Sequence, residues 1–263
     1  MHLRQYNECM KYNNIPERDI KIDLPDGKKI HGILRGSLTD GSPVIVMMHG
    51  LPGEGNELLQ YLGARYLYDH GFSTLRLYMY DFGQEYRDLL DCTLETHIAD
   101  FETVVQYLRD NAVGKVFALG HSYGGITILG SKVQLDAAVM WDASHGLAWQ
   151  DQDPRWTNDF PEVSYQNMTI GVAGQGYVMP RLMDENNKKL GDNTEWAAHK
   201  GYPIKFITAG EGMLVEYARH YYEVADEPKA YVIIEGASHQ LDDSDDIMEQ
   251  LFHETSDWFD LYR

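Results

Sequence analysis

The sequence predicts an α/β protein: a mostly parallel, doubly wound sheet with an N-terminal β-hairpin and an inserted lid. Three observations carry this. Short continuous apolar runs such as Val44–Met48 and Ala137–Trp141 are bounded by turn residues, as strands buried on both faces require. Segments of helix length separate these runs, giving the strand–helix alternation of βαβ units and hence a parallel sheet. The alternation breaks once, between about His145 and Lys200, and then resumes.

Taken in order, residues 19–24 and 29–34 alternate in polarity around Asp26-Gly27, a hairpin turn signal. The apolar strand at residues 43–48 follows, bounded by Gly, Ser and Pro before it and by His49-Gly50 after it. A helix over residues 56–70 is stopped by Gly71, and Ser73–Tyr78 reads as the next strand. A loop around Asp81-Phe82-Gly83, a helix at 96–109, a strand at 115–119, a serine-bearing turn with its helix, and the strand Ala137–Trp141 complete the first half.

Residues 145–200 carry Trp149, Trp156, Phe160, Tyr165, Met168, Tyr177, Met179, Met183 and Trp196 without a clear long period. About 55 residues is small for an independent core, so this stretch is read as a lid between two strands. Residues 1–144 and 201–263 are then the core. The pattern resumes with a strand at 204–208, a helix near 215–224, a strand at 230–234, the loop Glu235-Gly236-Ala237-Ser238-His239 and a helix from about 245 to 261.

Composition excludes several classes. The chain has 263 residues, 43% of them hydrophobic, which suits a globular protein with a substantial core. Its apolar runs are too short to span a bilayer, and residues 1–14 lack the apolar core of a signal peptide, so a cytoplasmic location is expected. A net charge of −19 disfavours nucleic acid and anionic membrane surfaces as partners. Much of the acidic excess lies in residues 241–263, read as a solvated helix face with acidic residues complementing the helix dipole. Cys9 and Cys92 are far apart, which suggests neither a zinc site nor a disulfide framework, and both read as free thiols. No cluster has metal-ligand spacing, so neither metal nor cofactor is expected. A homo-oligomer is left open.

The chemistry concentrates in the loops after strands, where open parallel sheets bind their ligands. Gly120-His121-Ser122-Tyr123-Gly124 places a serine on a sharp strand-to-helix turn, its hydroxyl exposed above the sheet edge. A hydroxyl is a poor nucleophile until a base takes its proton. His239, at the end of the last strand and after the serine in the chain, occupies the base's place in the order Ser, acid, His. The loop His49-Gly50-Leu51-Pro52-Gly53-Glu54-Gly55 lacks the lysine of a P-loop and the full G-x-G-x-x-G of a dinucleotide site.

These motifs together resemble the α/β-hydrolases, and among them the small esterases and serine-aminopeptidase-like hydrolases that include bacterial cinnamoyl and feruloyl esterases. The resemblance covers nearly the whole chain. It implies that Ser122 is the nucleophile and His239 the base, with the backbone N–H groups of Leu51 and Tyr123 forming the oxyanion hole. In the same reading His49 fixes the oxyanion loop, Asp81 ties down its own loop, His145 belongs to the lid or its hinge, and His121 points away from the reacting side.

The chain departs from the family pattern at the acid. Laid on residues 203–215 without gaps, the family's aspartate falls on Gly212. Glu211 is adjacent, but it matches a position that is often acidic without being catalytic. Some α/β-hydrolases carry the acid one strand earlier, and here that strand ends in Trp141-Asp142-Ala143-Ser144. A carboxylate directly after five apolar residues is costly unless paired, which makes Asp142 the preferred acid and Glu211 the alternative. The expected activity is metal-independent hydrolysis of a small-molecule carboxylic ester through an acyl-enzyme. Amide, thioester or lactone cleavage and acyl transfer would use the same residues. A non-catalytic binding protein is the rival from another class, and Gly212 is the feature that favours it.

Overall fold

The computed structural model describes residues 17–111, 114–150, 168–173 and 175–263. Residues 1–14 and Cys9, together with Trp156, Phe160 and Tyr165 of the expected lid, lie outside the described residues.

Eight strands form one sheet: β1 (Glu17–Asp23), β2 (Lys29–Arg35), β3 (Val44–Met48), β4 (Ser73–Tyr78), β5 (Val116–His121), β6 (Ala137–Trp141), β9 (Ile204–Ala209) and β10 (Lys229–Ile234). Their order is β1-β2-β4-β3-β5-β6-β9-β10. The hairpin β1–β2 is antiparallel and joins β4 antiparallel, while every pair from β4 to β10 is parallel. A second, two-stranded antiparallel sheet, β7 (Met168–Ala173) with β8 (Gln175–Pro180), forms within the expected lid.

The continuous apolar runs have a direct physical reading. Side chains alternate across a strand, so Val44, Val46 and Met48 of β3 enter one core while Ile45 and Met47 enter the other. Helices α2 (Leu94–Asp110) and α3 (Tyr123–Gly130) close the first face, through Phe101, Val104, Leu108, Ile128 and Leu129. On the opposite face, α1 (Leu58–Asp69) and α7 (Asp245–Asp260) bring Leu59, Leu67, Leu251, Phe252 and Phe259. Fully burying one such side chain contributes roughly 1.5–3 kcal/mol, and two such faces anchor the strands whose ends carry the site.

Most expected elements coincide with observed ones, and the shifts have local causes. Helix α2 begins at Leu94 because Thr93 caps it: the Thr93 hydroxyl accepts from Thr96 N–H, and the Thr96 hydroxyl accepts from Thr93 N–H. Strand β5 runs to His121, two residues past the expected end, because its ladder with β6 continues through His121 opposite Trp141. The acidic C-terminal stretch is a helix whose first turn carries Asp245 and Asp246, with the Ser244 side chain capping Ile247 N–H.

The stretch expected as a lid has more regular structure than its sequence suggests. Besides β7 and β8 it contains α4 (Gly146–Gln150), α5 (Arg181–Leu190) and a 3₁₀ turn at Thr194–Ala197. Each element is too short to leave a long period in the sequence. The remaining helix, α6 (Leu214–Val224), sits between β9 and β10. No helix among the described residues is long and apolar enough to cross a membrane.

Candidate active site

Ser122 lies between β5 and α3 with φ 52° and ψ −113°, a conformation that costs a non-glycine residue of order 1–3 kcal/mol. Hydrogen bonds to the neighbouring strand end hold it there. Ser122 N–H donates to Trp141 O at 2.9 Å, and Ser144 N–H donates to Ser122 O at 3.0 Å. Close packing beneath the turn needs Gly124, because a Cβ there would stand 2.4 Å from Met48 O and 2.8 Å from His49 O. Gly124→Ala is therefore expected to destabilise the protein by about 1–3 kcal/mol, as overpacking does. A thermal melt measures the loss, and an unchanged Tm would contradict this packing.

Asp142 directly follows β6 and turns with φ 43°, a left-handed conformation that aspartate tolerates better than most residues. This turn swings its carboxylate toward β9. Oδ1 accepts from the Thr208 hydroxyl at 2.5 Å and from Ala209 N–H at 3.1 Å. Oδ2 lies 2.6 Å from Nδ1 of His239. The side chain is only 3% exposed, so these three donors supply what water would otherwise provide.

The arrangement fixes the tautomer. A carboxylate accepts only, so His239 carries its proton on Nδ1 and offers the Nε2 lone pair to Ser122 Oγ, 2.9 Å away. Chemically, this is a hydroxyl with a base in reach and an acid orienting that base. Glu211 is exposed, and its N–H donates to Ala237 O at 3.0 Å, supporting the His239 loop through backbone alone. Gly212 has φ 152°, and a Cβ there would meet nothing within 4 Å. Of the two candidate carboxylates, it is Asp142 that reaches the imidazole.

The loop after β3 lies against the serine. Gly50 packs so close that a Cβ on it would be 3.0 Å from Ser122 Cβ. Its carbonyl accepts from His49 Nδ1–H at 2.7 Å and from Gly53 N–H at 3.0 Å. In a trans peptide this turns Leu51 N–H the opposite way. Neither Leu51 N–H nor Tyr123 N–H, the latter at the first turn of α3, has an acceptor among the described residues. His49 Nε2 in turn accepts from Met79 N–H at 3.2 Å, so the imidazole is neutral, and burial pushes its pKa down to about 4.

His121 Nε2–H donates to His239 O at 2.8 Å. The two rings sit 5.2 Å apart. Residue order does not reveal this support of the His239 backbone. Asp81 accepts from Phe82 N–H at 2.7 Å and pairs with His31 at 2.7 Å, which ties its loop to β2. His145 is buried, its Nδ1 accepts from Leu147 N–H at 3.1 Å, and its Nε2–H donates to Thr194 Oγ1 at 3.1 Å. It stacks on Tyr217 and so joins α4 to the 3₁₀ turn and α6.

Elements of the stretch expected as a lid meet Tyr123. The Tyr123 hydroxyl donates to Asn187 of α5 at 3.1 Å, and its ring stacks with Trp149 of α4 and meets His97 of α2 edge-on. Met183, Ile126, Leu94 and Cys92 pack around it. Burial pushes the Cys92 thiol up to about 12, making it an inert packing group.

His49, His97, His121 and His145 all have depressed pKa values, about 4 for three of them and about 3 for His97, with burial as the first cause. Each folded-state pKa lies below the unfolded 6.5. Their contribution to stability is therefore complete above about pH 6.5 and is lost as pH falls toward 4. His97→Leu, which removes a ring whose buried Nε2 has no hydrogen-bond acceptor or donor among the described residues, is expected to flatten that acid slope by up to about 1.4 kcal/mol per pH unit. Urea melts between pH 4 and 7 check it.

Among the described residues no group of three or more His, Cys, Asp or Glu side chains could hold a metal ion. Comparison with curated protein sequences returned no match. Solved structures match over nearly the whole chain. Est1E from Butyrivibrio proteoclasticus superposes with a TM-score of 0.72 at 17% identity, covering 92% of this chain and 97% of that one. The same protein with ferulic acid bound gives 0.74 at 18% identity, covering 92% and 98%. The esterase domain of a Rhodothermus marinus protein gives 0.67 at 16% identity, covering 92% and 97%. At such identities the likeness establishes the fold, and a sequence match supplies the family: the model described as "Alpha/beta hydrolase family" covers residues 45–258, from within β3 to within α7. The chain belongs to the alpha/beta hydrolase family.

Proposed function

We propose that the protein is a serine-dependent carboxylic ester hydrolase acting through an acyl-enzyme. The observation that carries this is the directed chain from Ser122 Oγ through His239 to Asp142, with contacts of 2.9 and 2.6 Å. In this reading His239 Nε2 takes the hydroxyl proton as Ser122 Oγ attacks the ester carbonyl. The charge that develops on the carbonyl oxygen is met by Leu51 and Tyr123 N–H. Losing one such donor typically costs about 2.7–4 kcal/mol of transition-state stabilisation. The proton then passes from Nε2 to the departing alcohol, and water repeats the sequence to release the acid.

The apolar and aromatic side chains around Tyr123, namely Leu51, Tyr80, Trp149 and Met183, support a substrate with an apolar or aromatic group. The likeness to Est1E, solved with ferulic acid bound, fits the same class. With Asp142 at the imidazole, the gap at Gly212 no longer favours a non-catalytic role.

A fluorophosphonate probe tests the reading. It is expected to modify folded protein at Ser122, located by peptide mass, and failure to label there would sink the proposal. Turnover of nitrophenyl esters across acyl lengths and aromatic acids then ranks substrates, with aromatic or medium apolar acyl groups expected ahead of acetate.

A further inference from the structure

Ser144 brings a second hydroxyl to the reacting oxygen. Its Oγ is 3.3 Å from Ser122 Oγ, and the residue is 4% exposed. The position is built from both sides. Ser144 N–H is held by Ser122 O, and Ser144 O accepts from the Tyr221 hydroxyl at 3.1 Å. Tyr221 in turn accepts from Asn193 Nδ2 at 2.7 Å.

Proton accounting sets the direction of the contact. Asp142 accepts from His239 Nδ1–H, so Nε2 can only accept, and Ser122 spends its one proton on Nε2. Ser144 must then be the donor. Three donations run in one direction through four groups: Ser144 to Ser122, Ser122 to His239, His239 to Asp142. At 3.3 Å the first link is long for a pair of hydroxyls, and such contacts in unliganded sites shorten as charge develops.

We propose that Ser144 is a further catalytic residue whose hydroxyl donates to Ser122 Oγ and eases its departure from the acyl-enzyme; this rests on Ser122 being the nucleophile. In deacylation the tetrahedral intermediate collapses as the bond from the acyl carbon to Ser122 Oγ breaks. The electron pair goes to Oγ, the carbonyl reforms on the acid product, and the proton on His239 Nε2 passes to Oγ. Ser144 keeps its own proton and hydrogen-bonds the oxygen while it gathers charge. In acylation the same oxygen starts neutral and loses electron density to the carbonyl, so the donor assists that step less.

A hydrogen bond to a charge-gathering oxygen corresponds to roughly tenfold in rate. Nitrophenolate release from p-nitrophenyl acetate with enzyme in excess reports acylation, and mass spectrometry of acetylated Ser122 follows deacylation. Ser144→Ala is expected to slow deacylation about tenfold while acylation falls less than about threefold, so that acetyl-enzyme accumulates. Ser144→Thr, which keeps the hydroxyl, is expected to restore deacylation. If the alanine variant does not fold, Ser144→Cys gives a weak donor of similar shape and the same expectation. Unchanged deacylation, or equal slowing of both steps, overturns the proposal. Fluorophosphonate labelling separates the two readings: a wild-type protein that does not label at Ser122 overturns both, whereas labelling with unaltered kinetics in the Ser144 variants overturns this one alone.

Discussion

Ser122→Ala is expected to lower kcat by about 10⁶-fold, the scale seen when a serine nucleophile is removed from a triad that acts as a unit. The residue that remains cannot form the acyl bond, and His239 is left with no hydroxyl to deprotonate. Fold stability should not fall. The substitution removes one buried oxygen that makes hydrogen bonds only within the site, to His239 and Ser144, and alanine meets the same unfavourable φ of 52°. Initial rates on a nitrophenyl ester measure the effect, with a melt alongside to show that the protein is folded. Residual turnover within a hundredfold of wild type would mean that the hydrolysis proceeds without Ser122.

Asp142→Asn is expected to cost about 10⁴-fold in kcat. The reason lies in its hydrogen bonds. Oδ1 is held by two donors, Thr208 Oγ1 and Ala209 N–H, so an asparagine keeps its carbonyl oxygen there and turns its NH₂ toward His239 Nδ1. That donor forces the imidazole proton onto Nε2, where it faces Ser122 and blocks the base. The geometry survives while the tautomer is wrong. Glu211→Gln, by contrast, is expected to change kcat by no more than about threefold, because its exposed side chain does not reach the imidazole and its structural contribution is a backbone hydrogen bond. Rates for the two variants, measured side by side, decide the acid. A normal rate in folded Asp142→Asn together with a collapse in Glu211→Gln would reverse the assignment.

The comparison of these two carboxylates shows what one-dimensional reading can and cannot reach. Asp142 was legible because an ionisable group directly after five apolar residues needs a partner. That argument states that a partner exists without naming it. The partner, His239, is 97 residues away in the chain, and only the placement of β6 and β10 on either side of β9 brings them together. Glu211, next to the position where the family's aspartate would fall, does not meet His239 for a reason of direction: its side chain is exposed.

Other residues left no sequence signal. Thr208 is one more buried residue near the end of β9, where every position is buried, yet it supplies the 2.5 Å bond that orients Asp142. Ser144 is indistinguishable from other serines until the β5–β6 ladder, continued by Ser122 N–H and Ser144 N–H beyond the strand ends, sets its hydroxyl against Ser122. His121 could be read as facing away from the reaction, but not as the donor to His239 O.

The sequence by itself determined the strand and helix order outside residues 145–200, the two-faced burial of the central strands and the serine turn. Each follows from local rules: side-chain alternation, capping and the steric demands of a tight turn act over a few residues. Only the tertiary structure decided which acid meets His239, which hydroxyls surround Ser122 and how α4 and α5 converge on Tyr123. Those contacts join residues tens of positions apart at distances near 3 Å, and the directionality of hydrogen bonds makes them depend on strand register and loop direction, which no local pattern encodes.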